Sequence, residues 1–341
     1  MLRPILLAFA GVATASAAAA CAAPATPLES SAAQSTAPSG KSMTPTYNGT
    51  LGAREYSVWI PAGYTRDKPA PLVVALHGCG QAPGQFAGLA RLDAQADKRG
   101  YFVVYPHQPQ SANPLRCWNW FLPANQARSG EAALIAGIVG EVRTSYAVDP
   151  RRIYVTGLSA GGLMSSILLA CYPEIFAAGA SASGGMYGAA TSLEEAGVMM
   201  KQGSAHNPEQ RGRDALSCAA GDKRLTMPMF VVHGSADKLV APLNAEQAIA
   251  QFGQANDLAD DGEDNESVMA QASGTVDQVH TGKLRYTLRN YSAGKDVLMQ
   301  LLWVEGLGHA WSGGDPAYAY AEPNGPDATA LMFDFFAGHT R

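Results

Sequence analysis

Three residues of this 341-residue chain carry the chemistry of acyl transfer in their types and surroundings: Ser159, Asp237 and His309. Ser159 sits in Gly157-Leu158-Ser159-Ala160-Gly161. Glycines two before and two after it remove the Cβ atoms that would clash in a turn tight enough to present the hydroxyl. A serine hydroxyl is a poor nucleophile until a neutral imidazole accepts its proton, and a carboxylate fixes which imidazole nitrogen does so. Asp237 follows His233-Gly234-Ser235-Ala236, and His309 ends the glycine-rich Gly306-Leu307-Gly308. Of the seven histidines, His107, His206, His280 and His339 lack such a strand-end glycine setting, and His77 reads as a structural residue.

Each of these residues needs a strand to carry it. Arg152 to Thr156 reads as a strand entering the serine turn, and the apolar-periodic segment to Cys171 as the helix leaving it. That helix start offers backbone N–H groups and a positive dipole end to an anion. Leu72 to Leu76 is a continuous apolar run, as in a strand covered on both faces, and it empties into His77-Gly78-Cys79-Gly80-Gln81. Met229 to His233 leads to Asp237, and Val297 to Val304 leads to His309. Further strands are expected at Arg54 to Ile60, Tyr101 to Pro106, Ala177 to Ser181 and Leu284 to Tyr291. Helices are expected at Phe86 to Lys98, Ser129 to Tyr146 and around Phe333 to Phe336. Strands alternating with helices, and the order serine, aspartate, histidine, predict an α/β-hydrolase fold: a mostly parallel sheet with helices on both faces. In that fold the oxyanion-binding N–H groups come from the loop after the early strand and from the residue after the serine, here Cys79 and Ala160. Tyr187 to Arg224 reads as irregular chain that could form part of a cap. The acidic stretch within 256–282 reads as a solvated loop, since it lacks the D-x-[DN]-x-[DN]-G spacing of a calcium site. Trp118 and Trp120, in a Pro- and Asn-rich loop, read either as a binding wall or as core.

Composition bounds the rest. At 47% hydrophobic residues the chain can bury one large core, and residues 46–341 are expected to form a single catalytic domain. A net charge of -5 and the lack of a basic run argue against a nucleic-acid partner. Residues 1–21 have the basic start, apolar stretch and small-residue cleavage sites of a secretory signal peptide. Ala18-Ala19-Ala20-Cys21 also resembles a lipoprotein cleavage box without its usual leucine, so Cys21 is a candidate lipid anchor alongside plain secretion. Residues 22–45 read as a disordered Ala/Ser/Pro tether, and no later stretch is long enough to span a membrane. An oxidising destination favours disulfides among Cys79, Cys117, Cys171 and Cys218. Three pairings are possible, and Cys79 with Cys117 and Cys171 with Cys218 is the expected one. No Cys/His spacing suggests zinc, and the chemistry needs neither metal nor organic cofactor.

Four motifs, in order, are similar to those of the polyhydroxybutyrate depolymerase family of esterases. They are His77-Gly78-Cys79-Gly80-Gln81, Cys117-Trp118-Asn119-Trp120-Phe121, Gly157 to Gly162, and Gly308-His309-Ala310-Trp311-Ser312-Gly313-Gly314. The tail Glu322 to Ala328 is similar too, so the resemblance runs from about Thr50 onward. It implies a secreted serine esterase acting on poly(3-hydroxybutyrate) or its oligomers, with feruloyl and acetylxylan esterases as relatives. It further implies Cys79 in the oxyanion hole and substrate held by a nearby tryptophan, with Trp118, Trp120 and Trp311 as candidates. Many members that attack solid polymer carry a linker and a separate binding domain after the catalytic one. The residues after the His309 loop leave no room for these, which favours oligomers, amorphous polyester or another ester. The alternatives are a feruloyl or acetylxylan esterase, a peptidase, and a silent binding protein of the same fold.

Overall fold

The computed structural model describes residues 39–221, 225–268, 274–278 and 283–341, all within the unit Pro38–Arg341. The expected signal segment, Cys21 and most of the tether lie outside the described residues. In chain order the elements are β1 (Lys41–Met43), β2 (Thr46–Gly49), β3 (Gly52–Ile60), β4 (Ala70–Leu76), α1 (Pro83–Ala90), α2 (Leu92–Arg99), β5 (Phe102–Pro106), α3 (Gly130–Ser145), β6 (Val148–Leu158), α4 (Ala160–Cys171) and β7 (Ala178–Ala182). There follow α5 (Leu193–Gln202), α6 (Pro208–Cys218), β8 (Met229–Gly234), α7 (Leu243–Asp260), β9 (Gly274–Gln278), β10 (Tyr286–Ala293), β11 (Asp296–Val304), β12 (Trp311–Ser312), β13 (Ala321–Glu322) and α8 (Ala328–Ala337). The main sheet has the order β1-β3-β5-β4-β6-β7-β8-β11-β10-β9, with β2 on β3. Its centre, β5 to β11, is parallel, and antiparallel strands close both sides. This is an α/β-hydrolase architecture.

Alternation along the central strands feeds two cores. In β4, Leu72, Val74 and Leu76 face one cluster with α3, α4 and α7, while Val73 and Ala75 face another with α1, α2 and α8. Tyr154 of β6 stacks on Phe336 of α8 with ring centroids 4.7 Å apart. Both faces of the sheet are therefore covered, and the loops at the carboxyl ends of β4, β6, β8 and β11 are left to build a site.

Several elements differ from the sequence reading. The tether does not reach residue 45, because Lys41–Met43 pairs antiparallel with Val58–Ile60. All three are exposed, so backbone hydrogen bonds alone place them and no apolar alternation announces them. The helix expected from Phe86 to Lys98 is two, broken at Arg91, whose φ of 52° is left-handed. The irregular stretch from Tyr187 contains α5 and α6, whose Ala196, Met199 and Ala215 join the core. Helix α7 continues to Asp260, and Asp257 accepts hydrogen bonds from the N–H groups of Asn265 and Ser267 to fold the acidic turn.

Cys79 is joined to Cys117 and Cys171 to Cys218, closing loops of 38 and 47 residues. Replacing Cys171 and Cys218 by alanine should cost about 2–4 kcal/mol of stability with little loss of activity, because that bridge ties α4 to α6. The same change at Cys79 and Cys117 should depress kcat as well. Urea midpoints and ester turnover on both double variants check this. Equal kcat for the two would remove the distinction.

Candidate active site

Strand β6 ends at Leu158 and α4 begins at Ala160, so a single residue, Ser159, makes the turn. It has φ 58° and ψ −119°, a conformation that L-residues avoid, and its N–H is held by Ala182 O at 2.8 Å. The turn is this tight because Gly157 and Gly161 let backbone touch backbone. A Cβ on Gly157 would collide with the Gly161 carbonyl, and one on Gly161 with Leu76 O. Ser159 Oγ bonds to no other group among the described residues.

The loop after β4 is braced on every side. Gly78 N–H donates to Gln81 Oε1 (2.8 Å), Gly80 N–H to Leu115 O (2.7 Å), and Trp118 Nε1–H to His77 O (3.1 Å). The Cys117 disulfide holds the Cys79 side chain. The Cys79 N–H has no acceptor among the described residues, and neither has the Ala160 N–H, the first of α4. His77 lies beneath this loop, fully buried. Its Nδ1–H donates to Gly78 O (2.8 Å), and Nε2 accepts from Gln108 N–H (3.1 Å). Burial pushes its pKa down to about 4, despite the Gly78 carbonyl, with His107 and Arg116 adding to the fall. The role is structural, and it has a pH signature. Between about 6.5 and about 4 the unfolded chain takes up a proton that the folded His77 refuses, so stability falls with pH across that window, by up to about 3 kcal/mol. A His77→Gln variant, compared by denaturant midpoint at pH 7 and pH 4.5, should lose that slope. An unchanged slope would place its origin elsewhere.

On the other side, Asp237 Oδ2 accepts from His309 Nδ1–H at 2.8 Å, while Oδ1 accepts from the N–H groups of Leu239 and Val240, both at 2.9 Å. Burial raises the Asp237 pKa, but the hydrogen bonds from His309 and Val240 and the nearby imidazoles outweigh it, leaving the carboxyl below its ordinary range. With Nδ1 committed to Asp237, His309 has Nε2 free to take a proton. His233 packs beneath this turn, its Nε2–H on Val240 O at 2.9 Å and 3.6 Å from Asp237 Oδ2. Burial lowers its pKa and keeps it neutral.

A cavity of about 310 Å³ joins these parts. Its walls include Gly78, Cys79, Ser159 and His309, with Met200 and Lys201 from the end of α5, Lys238, Leu239 and Val240 from the Asp237 turn, and Tyr320. None of the three expected substrate-binding tryptophans lines it. Trp118 is wholly buried with its indole on His77 O, and Trp120 is 5% exposed. Trp311 donates Nε1–H to Thr329 Oγ1 (2.9 Å) and packs edge-on against Phe86 in the core under α8. Trp118 and Trp311 fold inward because a buried acceptor waits for each indole N–H. Lys238, Leu239 and Val240 were visible as neighbours of Asp237, whereas Met200 and Lys201 lay in the stretch read as irregular.

A family model described as Esterase PHB depolymerase matches residues 54–275. The chain belongs to this family of esterases. Among curated proteins, poly(3-hydroxyalkanoate) depolymerase C of Paucimonas lemoignei is 37% identical over 194 residues, covering 57% of this chain and 46% of that one. Feruloyl esterase B of Neurospora crassa is 36% identical over 193 residues, 54% of this chain and 64% of that one. The chain thus spans about half to two thirds of the length of these relatives. Among solved structures, an acetyl xylan esterase from Aspergillus awamori superposes with a TM-score of 0.67 at 22% identity, covering 88% of this chain and all of that one. For this member of the depolymerase family it supports the fold. Among the described residues no helix is long and apolar enough to cross a membrane.

Proposed function

We propose that this chain is an exported serine esterase, in which Ser159 is the nucleophile, His309 the base and Asp237 the residue that orients it. Support comes above all from the His309–Asp237 hydrogen bond opening onto the cavity that holds Ser159. His309 Nε2 takes the Ser159 proton as Oγ attacks the ester carbonyl. The oxyanion is held by the Cys79 and Ala160 N–H groups, each worth about 3–4 kcal/mol in such sites. Collapse expels the alcohol, which takes the proton from His309. Water, deprotonated by the same imidazole, then attacks the acyl-enzyme, and Ser159 recovers its proton as the acid leaves. Two disulfides fit an oxidising destination.

The substrate we propose is poly(3-hydroxybutyrate)-type polyester or its oligomers. The family match, the named activity of the Paucimonas lemoignei relative and the apolar part of the cavity wall, Leu158, Met200, Leu239 and Val240, support it. A feruloyl or acetylxylan esterase is the second reading, supported by the Neurospora crassa relative at nearly equal identity. Product release decides between them: amorphous polyester and its oligomers against feruloylated and acetylated xylan, with Ser159→Ala as the blank. Hydroxybutyrate alone supports the first reading, ferulate or acetate alone the second.

A further inference from the structure

Two of the cavity's wall residues are cations, and neither is needed for acyl transfer. Lys201 lies in the last turn of α5 and Lys238 follows Asp237, and both line the cavity that holds Ser159 and His309. Neither forms an ion pair or side-chain hydrogen bond with the described residues. Asp237, next to Lys238 in the chain, keeps Oδ2 on His309 and Oδ1 on the turn, so it forms no ion pair with either lysine. The remaining wall is largely apolar, with Leu158, Met200, Leu239 and Val240. In a chain of net charge -5, two unpaired ammonium groups at one apolar cavity are a local reversal of the average. A Lys in the last turn of a helix is also favoured by the helix dipole, which gives Lys201 a structural reason to exist. It gives Lys238 none.

We propose that Lys201 and Lys238 form a carboxylate subsite on the leaving-group side of the cavity, selecting esters whose alcohol half carries a free carboxylate. The inference rests on the serine-esterase reading above and names the substrate class within it. The alcohol must leave past His309, which protonates it, so the far end of that alcohol meets whatever else lines the His309 side of the cavity. In a hydroxyacid oligomer ending in a free acid, the terminal carboxylate lies three bonds from the scissile ester oxygen. Cleavage of the last ester then places an anion in the same small cavity. A cavity of about 310 Å³ is at the low end for ligand sites and fits a short ester better than a polymer surface. A ferulate or acetate ester of xylan offers a neutral sugar there. Two ammonium groups would gain nothing from it.

The test uses matched pairs that differ only in charge: 3-acetoxybutyrate against 3-acetoxybutyramide, and 4-acetoxybenzoate against 4-acetoxybenzamide. The full chain is compared with Lys201→Met, Lys238→Met, the double variant and Lys238→Glu. The readout is the ratio of kcat/KM for the anion to that for its amide. The double variant should lower this ratio about tenfold, chiefly through KM, and Lys238→Glu further still. Added salt should lower it in the wild type. A ratio that stays within twofold in the double variant overturns the subsite. Lowered stability of Lys201→Met with no change in ratio would reduce Lys201 to its helix-end role and also count against it. Because the aryl pair needs no polyester chemistry, a lysine-dependent ratio there alone would keep the subsite and sink the polyester substrate.

Discussion

Ser159→Gly should abolish ester hydrolysis and at the same time make the protein more stable. The loss follows from the proposed nucleophile: with no Oγ there is no acyl-enzyme, and kcat falls about a millionfold, as in other serine hydrolases. The gain follows from φ 58° and ψ −119°, a conformation that costs a residue with a Cβ about 1–3 kcal/mol and glycine far less. Glycine returns part of this through its freer unfolded chain, so the net rise over wild type is about 1 kcal/mol. Ser159→Ala is the control, since it is equally dead but keeps the Cβ and the strain. Urea midpoints for the three proteins decide it. If glycine and alanine are equally stable, no strain is stored at this turn.

Asp237→Asn should lower kcat about ten-thousandfold with the fold intact. Asparagine keeps an oxygen for the N–H groups of Leu239 and Val240, so the turn survives. What it loses is the charge that holds the His309 tautomer and offsets the imidazolium. The same substitution has a pH consequence. The Asp237 carboxyl is held below its ordinary value in the folded state. It therefore contributes stability above the unfolded carboxylate pKa of about 3.9, and that contribution disappears as pH falls through the lower folded value. Wild type and Asp237→Asn should thus converge in stability as the solution is acidified below pH 4. Parallel curves would mean the carboxyl is not depressed.

The proposed reactive centre was legible because its constraints are local. A serine between glycines, an aspartate and a histidine each just past an apolar run, and the loop after β4 all announce themselves within a few residues. Strands β4, β6, β8 and β11 were legible for the same reason: continuous apolar runs have few other uses. The walls were not. Trp118 sits in a loop, and nothing local says that its indole turns in to His77 O rather than out to a ligand. Trp311 lies two residues past His309, yet its ring goes under α8 to Thr329. Met200 and Lys201 reach the cavity only because α5, two loops away in the chain, is docked beside the Asp237 turn. The pairing of β1 was hidden because three exposed residues join the sheet by backbone alone.

The contact of Gly157 with Gly161, and of Gly161 with Leu76, has a meaning for how such a protein can change. No side chain larger than hydrogen fits at either position, so the turn that carries Ser159 has almost no sequence freedom there. The residues at the cavity rim, Met200, Lys201, Lys238 and Leu239, are surface positions with little packing to lose. Reaction and recognition are thereby separated into one region that tolerates no drift and another that drifts cheaply. A lineage built this way can change the ester it accepts by rewriting the rim, and a library for directed evolution belongs there.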